Sequence, residues 1–169
     1  MQPVATPFFF YMLSGLAILG GILVITRRNP VHSALALILT LLAQAGLYLM
    51  LYAPFVAGVQ IILYAGGIMV LFLFVIMLVN IGRVEKEEQF NKQWIAGIVA
   101  AFALGTLFVY VYTKGQSLFP ATLASLPENS NTQQVATLLY RDYMFAFEIA
   151  SLLLLVAIIG AVVMAKRKI

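Results

Sequence analysis

VAGVQIILYAGGIMVLFLFVIMLVNI, from Val56 to Ile81, decides the fold of this chain, because it combines an uncharged apolar run with a glycine pair near its middle. As a regular helix these 26 residues would extend about 39 Å, which exceeds the roughly 30 Å hydrocarbon core of a bilayer. Adjacent glycines weaken a helix and are among the few causes of kinks and one-turn π-bulges. The stretch therefore predicts a membrane-spanning helix that tilts strongly or, more in keeping with its glycine pair, departs locally from regular α geometry at a weak point at Gly66 and Gly67.

A more polar stripe runs along this span. Gln60, Tyr64 and Gly67 are spaced i, i+4 and i+7, so on a regular helix they would share one face. One extra residue in a turn at the glycine pair would rotate everything beyond it by about 100°, and the same side chains would then meet different neighbours in two states. The pattern supports a conformational switch. It also suits a packing notch through which another helix approaches closely, with Tyr64 hydrogen-bonded across the contact.

The composition is that of an integral membrane protein, with 63% hydrophobic and 9% charged residues against about one quarter charged in soluble domains. The 169 residues are expected to form a single membrane domain, 1–169, with no room for a soluble catalytic module. The sequence contains no cysteine, which excludes disulfides, iron–sulfur ligation and thiolate zinc sites. We therefore expect no redox centre in this chain. A single histidine, His32, cannot supply a metal site, and no catalytic residue is expected.

Hydropathy predicts an all-α fold with five transmembrane helices, at about residues 7–25, 30–52, 56–81, 94–112 and 143–164. Asn29 and Pro30 are a good N-cap and first residue for the second span. Residues 82–93 and 113–131 are expected to be loops. After the second loop, Val135, Leu138 and Leu139 indicate a short amphipathic turn lying on the membrane.

The basic residues orient these spans. Eight of the ten fall on one predicted side of the membrane and two, Lys114 and Arg141, on the other. The eight are Arg27, Arg28, Arg83, Lys86, Lys92, Lys166, Arg167 and Lys168. Since positive charge is retained in the cytoplasm, the amino terminus is expected in the periplasm and the carboxyl terminus in the cytoplasm. The dispersal of these charges also argues against nucleic-acid binding.

Glu148 is the one acidic residue inside a predicted span, which makes it a functional candidate. It could lie on a proton path, or it could be an interhelix polar group that is hydrogen-bonded or salt-bridged to a neighbour such as Arg141. Gln60 is a candidate for the same two roles. Because no Lys, Arg or His lies in the middle of a span, the chain is not expected to translocate ions unaided, and a freestanding channel or transporter is disfavoured.

Three stretches resemble a known family: RNPVHSALALIL at 28–39, VQIILYAGGIMVLFLFVIMLVN at 59–80, and FEIASLLLLVAIIGAVV at 147–163. With the five-span layout, they are similar to the chain 6, or J, subunit of the proton-translocating NADH-quinone oxidoreductase, respiratory complex I. The middle stretch is the most specific. Residues 113–142 show no useful match.

The resemblance implies a subunit of that enzyme with no cofactor, set in the membrane arm of a bacterial inner (plasma) membrane complex. Its partners would be the lipid bilayer and other membrane-arm subunits in an obligate hetero-oligomer, with quinone nearby but not bound by this chain. In that family the third span carries a π-bulge whose conversion to regular helix opens or closes a water route. The positions that match this gate are Tyr64, Gly66, Gly67, Met69 and Val70.

Glu148 matches the acidic position at the start of the family's fifth span. The function implied is a non-redox subunit that couples quinone reduction to proton translocation through a conformational switch in the third helix. The alternative is a structural scaffold subunit of the same complex, or of a related one with another electron donor or a membrane-bound hydrogenase.

Overall fold

A computed structural model of the chain describes residues 7–79, 93–115 and 131–166. All regular secondary structure in these ranges is helical. The elements are α1 (Pro7–Thr26), α2 (Pro30–Met50), α3 (Pro54–Val59), a π-helical segment (Gln60–Ile68), α4 (Met69–Leu78), α5 (Trp94–Gly115), α6 (Asn131–Arg141) and α7 (Met144–Ala165). The segments α3, π and α4 are continuous and form one helix of 25 residues, which we call the third span.

Among the residues that the structure describes, five helices are long and apolar enough to cross a membrane: α1, α2, the third span, α5 and α7. The predicted all-α fold with five transmembrane helices is therefore confirmed, and the observed bounds lie within about three residues of the expected ones. The predicted end of the third span at Ile81 and most of both predicted loops lie outside the described residues. Five of the eight basic residues on the predicted cytoplasmic side lie there as well.

A closely packed hairpin of α1 and α2 begins the fold. Asn29 caps α2 as predicted, because its side-chain oxygen accepts a hydrogen bond from the Val31 N–H over 2.9 Å, and Pro30 follows in the first turn. Gly20 of α1 lies against α2, where a Cβ would come within 3.3 Å of the Ala36 carbonyl oxygen and closer still to the Thr40 hydroxyl. Small residues at such a contact let two helices in a membrane approach closely.

A tight turn joins α2 to the third span. Tyr52 has a φ of 56°, and the Ala53 N–H donates to the Tyr48 carbonyl over 3.0 Å, which is the long hydrogen bond of a left-handed helix end. Pro54 then begins α3 directly, so the two spans form the antiparallel hairpin that the short connection required. The third span packs along α2, which contacts α3, the π-helical segment and α4.

The remaining helices are far less enclosed. No residue of α5, α6 or α7 is buried within the described part of the chain. The predicted amphipathic turn is a full helix, α6, and it packs against α3 on one side and α7 on the other. The core of the chain therefore lies between α1, α2 and the third span, with α6 connecting the third span to α7.

Candidate functional site

The third span departs from α geometry over Gln60–Ile68, as the glycine pair predicted. At the end of this segment the Met69 N–H donates to the carbonyl of Tyr64, five residues earlier instead of four. The irregularity is wider than the single bulged turn that we expected. It includes Gly66 and Gly67, whose low helix preference reduces the cost of leaving the regular hydrogen-bond pattern.

The extra residue changes which side chains face α2. The buried residues of the third span are Ala57, Gln60, Ala65 and Met69. Their spacings are three, five and four residues, and the step of five falls inside the π-helical segment. A regular helix would instead place residue 64 below residue 60. The π geometry therefore puts Ala65 where Tyr64 would otherwise lie.

The shared polar face expected for a regular helix is consequently wrong for this state. Gln60 is 8% exposed, whereas Tyr64 is 48% exposed and turned away from α2. Within the described residues the Tyr64 hydroxyl has no hydrogen-bond partner. A Cβ on Gly66 or Gly67 would meet only a carbonyl of its own helix, at Ile61 and Ile62 respectively, so no other described helix of this chain uses the glycines as a notch.

Gln60 is tied to α2 by a hydrogen bond between side chains. Its Nε2 donates to Oε1 of Gln44 over 3.2 Å. An amide in hydrocarbon needs such a partner, because an unpaired polar group there is costly. The structure thus places Gln60 in an interhelix contact at the beginning of the π-helical segment.

The residues matched to a gate fall on two sides of the span. Met69 is 5% exposed and packs toward α2, whereas Val70 is 43% exposed and points outward with Tyr64. Gly66 and Gly67 are exposed as well. One side of the segment therefore packs against α2 of this chain, and the other side is exposed on the surface of the chain.

Glu148 lies on the exposed surface of α7, one turn into the helix, and α7 packs against α6 instead of against the π-helical segment. Its backbone carbonyl accepts a hydrogen bond from the Ser151 hydroxyl over 2.7 Å. Its carboxylate has no partner among the described residues, and the salt bridge to Arg141 that we considered is not formed. The structure does not bring Glu148 together with Gln60 or Tyr64.

The roles of two polar residues were not predicted from the sequence. Gln44 was not considered, although a second amide in a neighbouring span is the natural partner for Gln60. Asn131 was assigned to the end of a loop, yet its side-chain oxygen accepts a hydrogen bond from the Phe55 N–H over 3.3 Å. The available signal was that Ala53, which precedes Pro54, has no side chain able to cap the third span.

The groups at this site are suited to a conformational change. Within residues 7–79, 93–115 and 131–166, no group of three His, Asp or Glu side chains could hold a metal ion. The described polar side chains of the site are two amides and a phenol, and they lie on or beside a helix segment with a shifted hydrogen-bond register. These groups can fix, release or reorient a helix.

Comparison with known proteins gives a consistent result. The family model described as NADH-ubiquinone/plastoquinone oxidoreductase chain 6 matches residues 20–164. A protein of Rhodobacter capsulatus named NADH-quinone oxidoreductase subunit J is 37% identical over 164 residues, which cover 95% of this chain and 81% of that protein. The subunit J of Pseudomonas aeruginosa is 37% identical over 91% of this chain and 93% of its own length. NADH-ubiquinone oxidoreductase chain 6 of Marchantia polymorpha is 35% identical over 94% of this chain and 86% of its own length.

Proposed function

The chain belongs to the family of NADH-ubiquinone/plastoquinone oxidoreductase chain 6, and from this premise we propose that it is a membrane-arm subunit of a proton-translocating NADH-quinone oxidoreductase. In this proposal the subunit carries no redox centre and binds neither a cofactor nor quinone. It lies in a bacterial inner membrane with its amino terminus in the periplasm and its carboxyl terminus in the cytoplasm. The charge distribution of the sequence supports that orientation.

The proposed role is to couple quinone reduction in neighbouring subunits to proton movement by a change in the third span. Conversion of one π turn to α geometry would rotate one end of the span relative to the other by about 100°. Tyr64 would then take the position of Ala65 against α2, and Tyr64, Met69 and Val70 would exchange neighbours. Such a rotation moves a phenol and bulky side chains in or out of a passage between subunits, and so wets or dries it.

The observation that carries this proposal is the step of five between the buried residues Gln60 and Ala65. It gives the span a second register that differs by one residue and needs no new side chains. In either register a residue of the same span would lie against α2, which supports the proposal of two discrete states. Two-state elements of this kind are what a conformational coupling mechanism requires.

The proposed partners are other membrane-arm subunits. No described residue of α5 or α7 is buried and Glu148 is exposed, which supports an obligate assembly, because a charged residue facing lipid is costly and is usually paired. The same exposed surfaces favour the alternative function, a scaffold that fills space between subunits. A scaffold would use Gly66 and Gly67 as notches for a partner helix.

Alanine at the two glycines separates these functions. At Gly66 a Cβ would lie 3.2 Å from the Ile61 carbonyl oxygen, which strains the π geometry, whereas at Gly67 the nearest atom is the Ile62 carbonyl oxygen at an ordinary 3.7 Å. Alanine also raises the helix preference of either position by about 1 kcal/mol relative to the unfolded chain. This effect is common to both substitutions, so Gly67→Ala controls for it.

In the assembled complex we expect Gly66→Ala to keep NADH-quinone reductase activity measurable but to lower the number of protons moved per electron, with Gly67→Ala affected less. A scaffold would instead lose assembled complex in both variants, as seen on native gels. Normal assembly and normal pumping in Gly66→Ala would overturn the switch.

A further inference from the structure

The third span begins without a cap of its own. Ala53 occupies the N-cap position and forms no side-chain hydrogen bond, and Pro54 has no N–H. The first N–H groups of a helix have no partner within it, so Phe55 presents an unpaired donor at this end. An unpaired N–H would weaken the first turn of the helix that carries the π-helical segment.

Asn131 supplies the missing acceptor from a distant part of the chain. Its Oδ1 accepts from the Phe55 N–H over 3.3 Å, across 76 positions of sequence. Asparagine is among the best capping residues when it lies in the N-cap position, and here the same oxygen-to-amide contact is made from another helix. Asn131 is the first residue of α6 and is half-buried.

The helix that holds Asn131 is itself attached at both ends. Its half-buried side chains lie on one face, at Asn131, Gln134, Val135 and Leu139. At its far end the ring of Tyr140 packs edge-to-face on Phe147 of α7, with centroids 5.2 Å apart. Thus α6 is a strut between the beginning of the third span and the beginning of α7.

The two halves of the third span are attached to the chain by different kinds of contact. On the side of Pro54, hydrogen bonds reach Asn131 on α6 and Gln44 on α2. Beyond the π-helical segment, α4 has the apolar sequence MVLFLFVIML. Within the described residues no hydrogen bond joins α4 to another helix. Apolar contacts between helices in a membrane exchange with little loss, because lipid is equally apolar.

We infer that Asn131 is a positioning residue: it caps the third span in trans and holds the Pro54 end still, so that a register change in the π-helical segment turns α4. This inference rests on the proposed function, because it assigns the fixed and the moving half of the same switch. Without Asn131 only the Gln44–Gln60 hydrogen bond would hold this half, so part of the rotation would be taken up there and less of it would reach Met69 and Val70.

The contact itself is tested by amide hydrogen exchange in the assembled complex. The peptide containing Ala53–Gly58 is followed in Asn131→Ala, in Asn131→Asp, which keeps an acceptor oxygen, and in Thr132→Ala, an exposed neighbour on α6. We expect one amide to exchange about fivefold faster in Asn131→Ala, which is the change for a lost cap of roughly 1 kcal/mol, and wild-type exchange in the other two. Unchanged exchange in Asn131→Ala would overturn the contact.

The positioning role is tested by the proton-to-electron ratio of the same complexes. We expect a lower ratio in Asn131→Ala at normal assembly, restored in Asn131→Asp. Faster exchange with an unchanged ratio would overturn the positioning role. Loss of assembly in Asn131→Ala alone would do the same, because it would assign Asn131 to assembly. Neither outcome contradicts the proposed switch, which is tested separately by Gly66→Ala.

Discussion

Gln60 of the π-helical segment donates a hydrogen bond from its Nε2 to Oε1 of Gln44 on α2, over 3.2 Å. This contact lies at the boundary where the third span leaves α geometry, since the π-helical segment begins at Gln60. It ties the last regularly wound turn of α3 to the neighbouring span. A register change in the segment therefore begins from a fixed point.

A double-mutant cycle measures that tie. Gln44→Leu and Gln60→Leu should each lower the free energy of unfolding of the full chain in bicelles, and together they should cost less than their sum. Hydrogen bonds between membrane helices average about 0.6 kcal/mol and reach about 1.7 kcal/mol, so a coupling free energy of about 0.5–1.5 kcal/mol is expected. As a control, Gln44→Leu combined with Ile62→Ala should be additive, because Ile62 is 69% exposed. Additivity in the Gln44–Gln60 cycle would contradict the contact.

Val70 offers a test of the outward-facing side of the segment. Val70→Phe adds bulk at a position that the proposed rotation moves, so turnover or protons per electron should fall at least severalfold while assembly is kept. Val56→Phe is the matched control, because Val56 lies on α3, in the half of the third span that is expected to stay fixed, with a similar exposure, 41% against 43%. Equal behaviour of the two variants in a pumping assay would contradict a gate at Val70.

Alanine substitutions at Gly20 and Gly21 test whether the α1–α2 contact is needed for assembly. Alanine at Gly20 would place its Cβ against the Thr40 hydroxyl and 3.3 Å from the Ala36 carbonyl oxygen, so α1 and α2 must move apart. A Cβ at Gly21 would meet nothing within 4 Å. We expect Gly20→Ala to destabilise the chain by about 1–3 kcal/mol and to reduce assembled complex, as overpacked sites do. Gly21→Ala should be neutral, and a loss of assembly in both variants would show that the α1–α2 contact is not the cause.

Glu148 is predicted to act as a polar contact to a partner subunit. Its carboxylate has no hydrogen-bond or salt-bridge partner among the described residues. Glu148→Gln should therefore retain both assembly and proton pumping, whereas Glu148→Leu should reduce the amount of assembled complex. If Glu148→Gln assembles normally but stops pumping, the residue belongs to a proton path.

Much of the fold followed from local sequence features. Long apolar runs fix the five spans, and the Asn29–Pro30 pair fixes the beginning of α2, because both are local properties. The glycine pair located the π geometry for the same reason. Its extent could not be predicted, since the width of an irregular segment depends on which side chains fit against α2.

The tertiary contacts of the site were less accessible. The polar stripe was predicted for a regular helix, in which Gln60 and Tyr64 share a face. The extra residue of the π-helical segment places the two side chains on different faces. Gln44 and Asn131 act on residues 16 and 76 positions away, and such pairings carry no periodic signal within one sequence. The contacts that we propose for α5 and α7 are with other subunits, and the sequence of this chain holds no information about them.

The hydrogen-bond acceptor of the Met69 N–H distinguishes a third span that switches from one that is fixed. Maps of the assembled complex at side-chain resolution, at rest and during turnover with NADH and quinone, would show which carbonyl it meets. We expect the Tyr64 carbonyl in one population, as in this structure, and the Ala65 carbonyl in another, with the Tyr64 side chain turned toward α2. A Met69 N–H bound to the Tyr64 carbonyl in every state, with the phenol always facing outward, would contradict it.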